Sequence, residues 1–265
     1  MKRQVGVTKV LSEISDIGYG QQFAGWYDRI IPKDAHADYI AKRIAELHPA
    51  AGAGTLELGV GTGRIALPLS REVGHVVGVD SSLEMLAAFE AEANSTKADV
   101  SAVHGDMRTY RDSRTFGMVY SVCGSLSLLL TPAEHRLAFE RAAELLIPGG
   151  IFVVEVFGRH AIAALHKGDR HISYFVPYSA PGSGLRTEAE LDLEQNLWSC
   201  RHTLHDDDGT TRVGSDRVYL TTPEQVDTYA GNAGFGLENH YPSWDGAGEL
   251  QDAALFISVY KRPAA

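Results

Sequence analysis

The chain has 265 residues, 34 acidic against 24 basic side chains, a net charge of −10 and only two cysteines, Cys123 and Cys200, too far apart to suggest a disulfide framework or a zinc site. Its acidic balance, with no Lys/Arg cluster, argues against a nucleic-acid partner. No apolar run approaches the roughly 20 residues of a membrane span, and Met1–Val7 has no signal-peptide core, so a cytoplasmic α/β domain with one elaboration is expected.

Val10, Leu11, Ile14 and Ile17 carry a weak helical period before Gly18 and Gly20. An aromatic cluster follows, Phe23, Trp26 and Tyr27, most of it expected to pack on the domain edge. A helix is expected from Asp34 to Leu47, with Ala37, Ile40, Ala41, Ile44 and Leu47 on one face. Thr55-Leu-Glu-Leu58 then reads as a strand, Gly59-Val-Gly-Thr-Gly63 as a tight turn and Ile65–Leu69 as the start of a helix. This order is the first unit of a doubly wound sheet. The glycines let a ligand approach the backbone closely, and the helix N-terminus behind them offers free N–H groups and a positive dipole end. Arg64 stands where the dinucleotide fingerprint G-x-G-x-x-G needs its last glycine, so a nicotinamide enzyme is not expected.

His75–Asp80 is a buried parallel strand ending in an acid about 20 residues after Gly61, where such folds place a carboxylate for ribose hydroxyls. Asp80 could at the same time cap the helix that starts at Ser82. Val100–Met107 is the third strand with Gly105-Asp106 at its end, and Phe116–Val122 is the fourth, leading into Cys123-Gly-Ser-Leu-Ser-Leu128. Thr131 and Pro132 open a helix that runs to Pro148-Gly-Gly150, and Ile151–Phe157 is the fifth strand. Residues 187–193, 197–204 and 210–220 alternate as antiparallel strands around a solvated hairpin turn, Asp206-Asp-Asp-Gly209, and form a cap. Thr222-Pro-Glu-Gln225 is a capping box for a last helix, after which 237–241 and 254–260 complete the sheet. The expected division is 1–48 as N-terminal lid and first helix, 49–157 as core, 158–221 as cap and 222–265 as the closing helix and strands.

Glu57-Leu-Gly-Val-Gly-Thr-Gly-Arg64 resembles motif I of the class I S-adenosylmethionine (SAM) methyltransferases. The acid at 80, Gly105-Asp106 and Leu146-x-Pro-Gly-Gly150 keep that family's order through residue 157. The resemblance implies a Rossmann-like α/β sheet of order 3-2-1-4-5-7-6 with strand 7 antiparallel and the cap after strand 5. It implies SAM as methyl donor, S-adenosyl-L-homocysteine as product and no metal. It places Glu57, Gly59, Gly61, Gly63, Arg64, Asp80, Ser81, Met85, Asp106, Met107 and Val122 around SAM, with Asp106 on the adenine amino group and Met85 beside the ring. Tyr27-Asp28 resembles the lid segment of small-molecule methyltransferases.

Cap and lid together look like the TDP-aminosugar N-methyltransferases of bacterial secondary metabolism, with two departures. Gly117 stands where the wider family usually carries Asp, and Ser127-Leu128 where the aminosugar group has a histidine. No Asn/Asp-Pro-Pro-Tyr or Pro-Cys motif for base methylation follows the fourth strand. Glu155, Tyr27, His160 and His202 are candidate bases, Glu155 because it stands late on the fifth strand, facing the crevice at its carboxyl end. Tyr27, Tyr174, Trp198, His202 and Trp244 are candidates to line the acceptor site. The expected reaction is methyl transfer to N or O of a small molecule by a monomer or homodimer, with no nucleic-acid or membrane partner. C-methylation, or SAM binding without transfer as in a cyclisation catalyst, stands as the alternative.

Overall fold

The computed structural model describes Ile14, residues 17–49 and residues 53–264; Val10 and Leu11 of the first expected helix lie outside the described residues. Among the described residues three helices come first, α1 (Tyr19–Phe23), α2 (Tyr27–Ile30) and α3 (Ala35–Glu46). Strands β1 (Thr55–Leu58), β2 (Val76–Asp80) and β3 (Val100–His104) then alternate with α4 (Ala66–Val73) and α5 (Leu83–Thr96). Strand β4 (Phe116–Ser121) leads through a 3₁₀ turn at Ser125–Leu128 and α6 (Pro132–Leu145) to β5 (Leu146–Phe157). After α7 (Arg159–His166) come β6 (His171–Pro177), β7 (Gly184–Asp192), β8 (Leu197–His205) and β9 (Thr211–Tyr219), and the chain closes with α8 (Pro223–Asn232), β10 (Gly236–Tyr241) and β11 (Leu255–Lys261). The main sheet has the order β3-β2-β1-β4-β5-β11-β10, with β11 antiparallel to both neighbours, as the family resemblance implied.

The central strands are apolar almost throughout because helices cover both faces of the sheet. Leu56, Leu58, Val119, Phe152 and Val154 pack toward α6 and α8, while Met118, Tyr120 and Val153 pack with Ile40, Ile44, Ile65 and Phe89 on the α3–α5 side. The helix starts follow their capping residues. Asp34 accepts from His36 N–H and Ala37 N–H, Ser82 from Met85 N–H and Thr131 from Glu134 N–H, and Thr222 with Gln225 forms the expected capping box. Gly117 is explained by space, since a Cβ there would lie 2.4 Å from that of Ala53. Among the described residues, no helix is long and apolar enough to cross a membrane.

His135 on α6 is 1% exposed, stacked on Tyr229, with Nε2 2.8 Å from the Leu129 carbonyl. Burial disfavours the imidazolium and lowers the pKa from 6.5 to about 4. An unfolded chain therefore takes up this proton near pH 6.5 while the folded one resists until about pH 4, so stability present above 6.5 is lost on acidification through that window. The stability advantage of the wild type over H135Q should shrink by about 3 kcal/mol between pH 7.5 and 4. Urea unfolding at both pH values measures this, and a constant difference would clear His135 of the effect.

Beyond β5 the chain departs from expectation. The cap is a four-stranded antiparallel sheet, β6-β7-β8-β9, where three strands were expected. Strand β6 escaped notice because it is an edge strand with most residues exposed, so it shows no alternation. Helix α7, with Ile162 and His166 buried, was also missed.

Helices α1 and α2 bridge the cap and the core. Phe23 and Trp26 pack with Leu204 of β8 and Met85 of α5. Gly214 makes room for them, since a Cβ there would lie 2.5 Å from the Phe23 ring. The Gln22 Oε1 accepts from Ser215 N–H at 2.8 Å, and Asp28 accepts from Thr62 Oγ at 2.7 Å. Asp206, expected in a solvated turn, is 8% exposed and paired with both Arg29 of α2 and Arg212 of β9.

Candidate active site

The turn after β1 holds Gly59, Gly61 and Gly63 at φ of 81°, 55° and 81°, a region that costs other residues a steric clash. A Cβ on Gly59 would lie 2.7 Å from that of Ser125, and one on Gly63 2.2 Å from the Phe89 ring, whereas at Gly61 it would meet nothing within 4 Å. Gly61 therefore faces open space, while Gly63 packs the turn on α5 and does not line the cavity there, a correction to its expected place. That cavity, about 290 Å³, lies between the carboxyl ends of the central strands, the lid and the cap.

Asp80 Oδ2 accepts from Gly61 N–H at 2.8 Å and Oδ1 from Ser82 N–H at 2.9 Å, so the acid fixes the glycine turn and the start of α5 at once. Asp80, Ser81 and Met85 all border the cavity, as do Val122 and Met107. Asp106 borders it too, but its carboxylate is held by the backbone N–H of Arg108 (2.8 Å) and by that residue's guanidinium (2.5–3.1 Å). Arg108 in turn reaches Glu134, an interaction the sequence did not announce. Glu57 lies at the cavity floor, 3% exposed, and its Oε2 accepts from Tyr120 OH at 2.8 Å. Desolvation raises its pKa from 4.5 to about 8. Arg64 stretches from the Pro32 carbonyl (3.0 Å) to the Cys123 thiol (3.4 Å), joining the lid side to the turn after β4.

The opposite walls come from the lid and the cap. Tyr19 and Tyr27 border the cavity, and burial pushes both phenols well above their usual pKa. Tyr27 borders the cavity from the lid side, and its burial favours the neutral phenol over the phenolate. Trp198 borders the cavity with its indole N–H on His166 Nε2 at 3.0 Å. His202 does so with Nδ1 3.0 Å from Thr187 Oγ and Nε2 3.6 Å from Asp216 Oδ1. The register of the cap explains this meeting. Cys200 pairs across the ladder with Asp216 and His202 with Thr187, and residues two apart share a face. Sequence reading missed a number of cavity residues, among them Tyr19, Arg108, Cys123, Cys200 and Asp216; for Asp216, the hairpin turn at 206–209 carried the register that would have found it.

Besides Gly63, four expected site residues lie elsewhere. Glu155 is 6% exposed, its Oε2 accepting from Cys123 N–H at 2.6 Å and its Oε1 from Trp244 indole N–H at 2.7 Å. It does not line the cavity, and both its oxygens are engaged in holding chain segments. Trp244 belongs to the core on the α3–α5 side. His160 is exposed on the first turn of α7, and Tyr174 is 36% exposed on edge strand β6. Ser127, at the place of the aminosugar group's histidine, is fully buried and accepts from Phe157 N–H at 3.0 Å, so it ties the 3₁₀ turn to the end of β5.

Comparison with known proteins accords with this geometry. Residues 55–150 match the methyltransferase-domain family. A dTDP-3-amino-3,6-dideoxy-alpha-D-glucopyranose N,N-dimethyltransferase of Streptomyces fradiae is 33% identical over 234 residues, 83% of this chain and 86% of the relative. The methyltransferase CcbJ of Streptomyces caelestis superposes with a TM-score of 0.83 at 26% identity, covering 93% of this chain and 98% of that one. DesVI of Streptomyces venezuelae superposes with a TM-score of 0.67 at 25% identity, covering 91% and 98%. Relatedness over this much of both chains, on a sheet of this order, means that the chain belongs to the SAM-dependent methyltransferases.

Proposed function

We propose that this enzyme methylates the amine nitrogen of a small, amino-sugar-like acceptor and that His202 is its base. The observation that carries the proposal is the position of His202 and Asp216 on the cap wall of the same cavity that the glycine turn floors. The relative that acts on a dTDP-aminosugar supports the choice of nitrogen.

The residues present fit SAM. Gly61 leaves open space, and Glu57, Asp80 and Asp106 surround a cavity suited to a ligand with two cationic centres and several hydroxyl and amino donors. When bound, SAM supplies an electrophilic methyl carbon on a sulfonium. Asp80 would receive ribose hydroxyls, Asp106 and Met107 would meet the adenine, Ser81 and Met85 would flank it, and Arg64 would face the carboxylate. Tyr19, Tyr27 and Trp198 close the opposite side and exclude water. An amine acceptor is a nucleophile only once it has lost its ammonium proton. His202 lines the cavity and would take that proton at Nε2, its ring held by Thr187, and Asp216 would stabilise the imidazolium formed.

Replacing Asp80 by Ala should weaken SAM binding tenfold or more, about 1.4 kcal/mol, by isothermal titration calorimetry. Unchanged affinity would take Asp80 out of the site. A second expectation concerns protons. Free Glu57 is protonated below about pH 8, and a cationic ligand beside it favours the carboxylate, so SAM binding at pH 7 should release a proton and tighten as pH rises toward 8. Calorimetry in buffers of different ionisation enthalpy reads this release, and E57Q should show none.

The test of the function is label transfer from SAM carrying a deuterated methyl group to amino sugars, free and nucleotide-linked, alongside phenols and carbon acids. Mass and NMR should place the label on nitrogen. A label on oxygen or carbon overturns the amine reading, and SAM binding without transfer to any acceptor overturns methyl transfer itself.

A further inference from the structure

We propose that Cys200, His202 and Asp216 form a binding site for a thiophilic divalent cation such as Zn²⁺, and that filling it switches methyl transfer off. One ligand atom of each lies within 4.8 Å of the others, on adjacent antiparallel strands. The His202 Nε2 and Asp216 Oδ1 are 3.6 Å apart, beyond hydrogen-bond reach. Two arms of about 2.1 Å at a tetrahedral angle span about 3.4 Å, so the gap suits a shared ion. Thr187 Oγ, 3.0 Å from Nδ1, can take the N–H of that nitrogen, the outer contact that orients a ligating imidazole with its Nε2 lone pair toward the ion.

The donor set selects the metal. One sulfur, one nitrogen and one oxygen favour Zn²⁺ or Co²⁺ over Mg²⁺ and Ca²⁺, which prefer all-oxygen shells. Three protein ligands leave a fourth position open to the cavity, where water completes the shell. Binding involves no redox change. Each ligand atom shares a lone pair with the ion, and the Cys200 thiol, kept protonated by burial and by Asp216, gives its proton to solvent.

The inhibitory consequence rests on the amine-methylation reading. Coordination occupies the Nε2 lone pair that would accept the acceptor's proton. An amine drawn into the fourth position would likewise share its only lone pair with the metal and cease to be a nucleophile. Because both effects act on the acceptor's side, SAM affinity should be little changed.

Titration of the reduced, metal-free full-length protein with Co²⁺ tests the site without any acceptor. One equivalent should raise the near-ultraviolet thiolate-to-cobalt charge-transfer band together with the visible bands of a four-coordinate ion, and Zn²⁺ should displace both. C200S should lose the charge-transfer band, D216N should weaken binding tenfold or more, and C123S should keep the band; near-ultraviolet circular dichroism verifies that each variant is folded. Absence of the band in the wild type, or its loss in C123S but not C200S, overturns the site. Where an amine is being methylated, Zn²⁺ at the displacing concentration should stop turnover and a chelator restore it. Continued turnover with the site filled overturns the switch. Cobalt spectra without methylation of any amine would sink the functional reading and leave the metal site standing.

Discussion

Replacing Glu155 by Ala should destabilise the protein by about 3 kcal/mol, two buried donors at about 1–3 kcal/mol each being left without an acceptor. Both donors are close, Cys123 N–H at 2.6 Å and the Trp244 indole N–H at 2.7 Å, and the acceptor they share is 6% exposed. At 2–4 °C per kcal/mol for a chain of this size, the melting temperature should fall by roughly 6–12 °C. The loss should extend to the site. Cys123 has a φ of 57°, a left-handed conformation unusual for a non-glycine residue, and Glu155 is what pins its N–H. With that anchor gone the turn after β4, which borders the cavity, should relax and SAM should bind more weakly. E155Q, which keeps one acceptor oxygen, should lose about half as much stability and leave the shape of the pH–rate profile unchanged. A pH–rate profile that loses a limb in E155Q would return Glu155 to the role of base.

That residue shows where sequence reading stops. The chain order of strand, glycine turn, acid and capped helix is local information, and it sufficed for the elements of the main sheet, while the strand order and the reversed last strand came from the family resemblance that this order carries. Gly59, Gly61, Asp80 and Met85 border the cavity because each is tied to an element end that the sequence marks. Glu155 was misjudged because its position late on β5 gives no sign of a partner 89 residues away, Trp244. His160 was misjudged for the opposite reason. It follows β5 directly, but Gly158 starts α7 and turns the residue to solvent. On the cap, alternation identified three strands and hid the fourth, and the meeting of Cys200, His202 and Asp216 depends on cross-strand register more than on any linear motif.

H202A should lower kcat for the amine acceptor by about 10²–10⁴-fold, the usual worth of a positioned base, while SAM affinity changes by less than about threefold. The other cavity groups cannot easily replace it. Tyr19 and Tyr27 are held as neutral phenols by burial, the Cys123 thiol is pushed up to about 12, and Glu57 is tied to Tyr120 at the floor. A purely structural His202 would give a different pattern, because its ring also packs near Phe23 at 6.0 Å and loss of that contact would loosen the lid and weaken SAM binding. Added imidazole separates the two cases. It should restore part of kcat to H202A if the missing function is proton acceptance, and nothing if the missing function is packing. D216N should fall between, with kcat reduced less than in H202A, since Asp216 holds and stabilises the charged ring but does not itself receive the proton. Equal losses in kcat and in SAM affinity, without rescue, would move the base elsewhere in the cavity and take the amine mechanism with it.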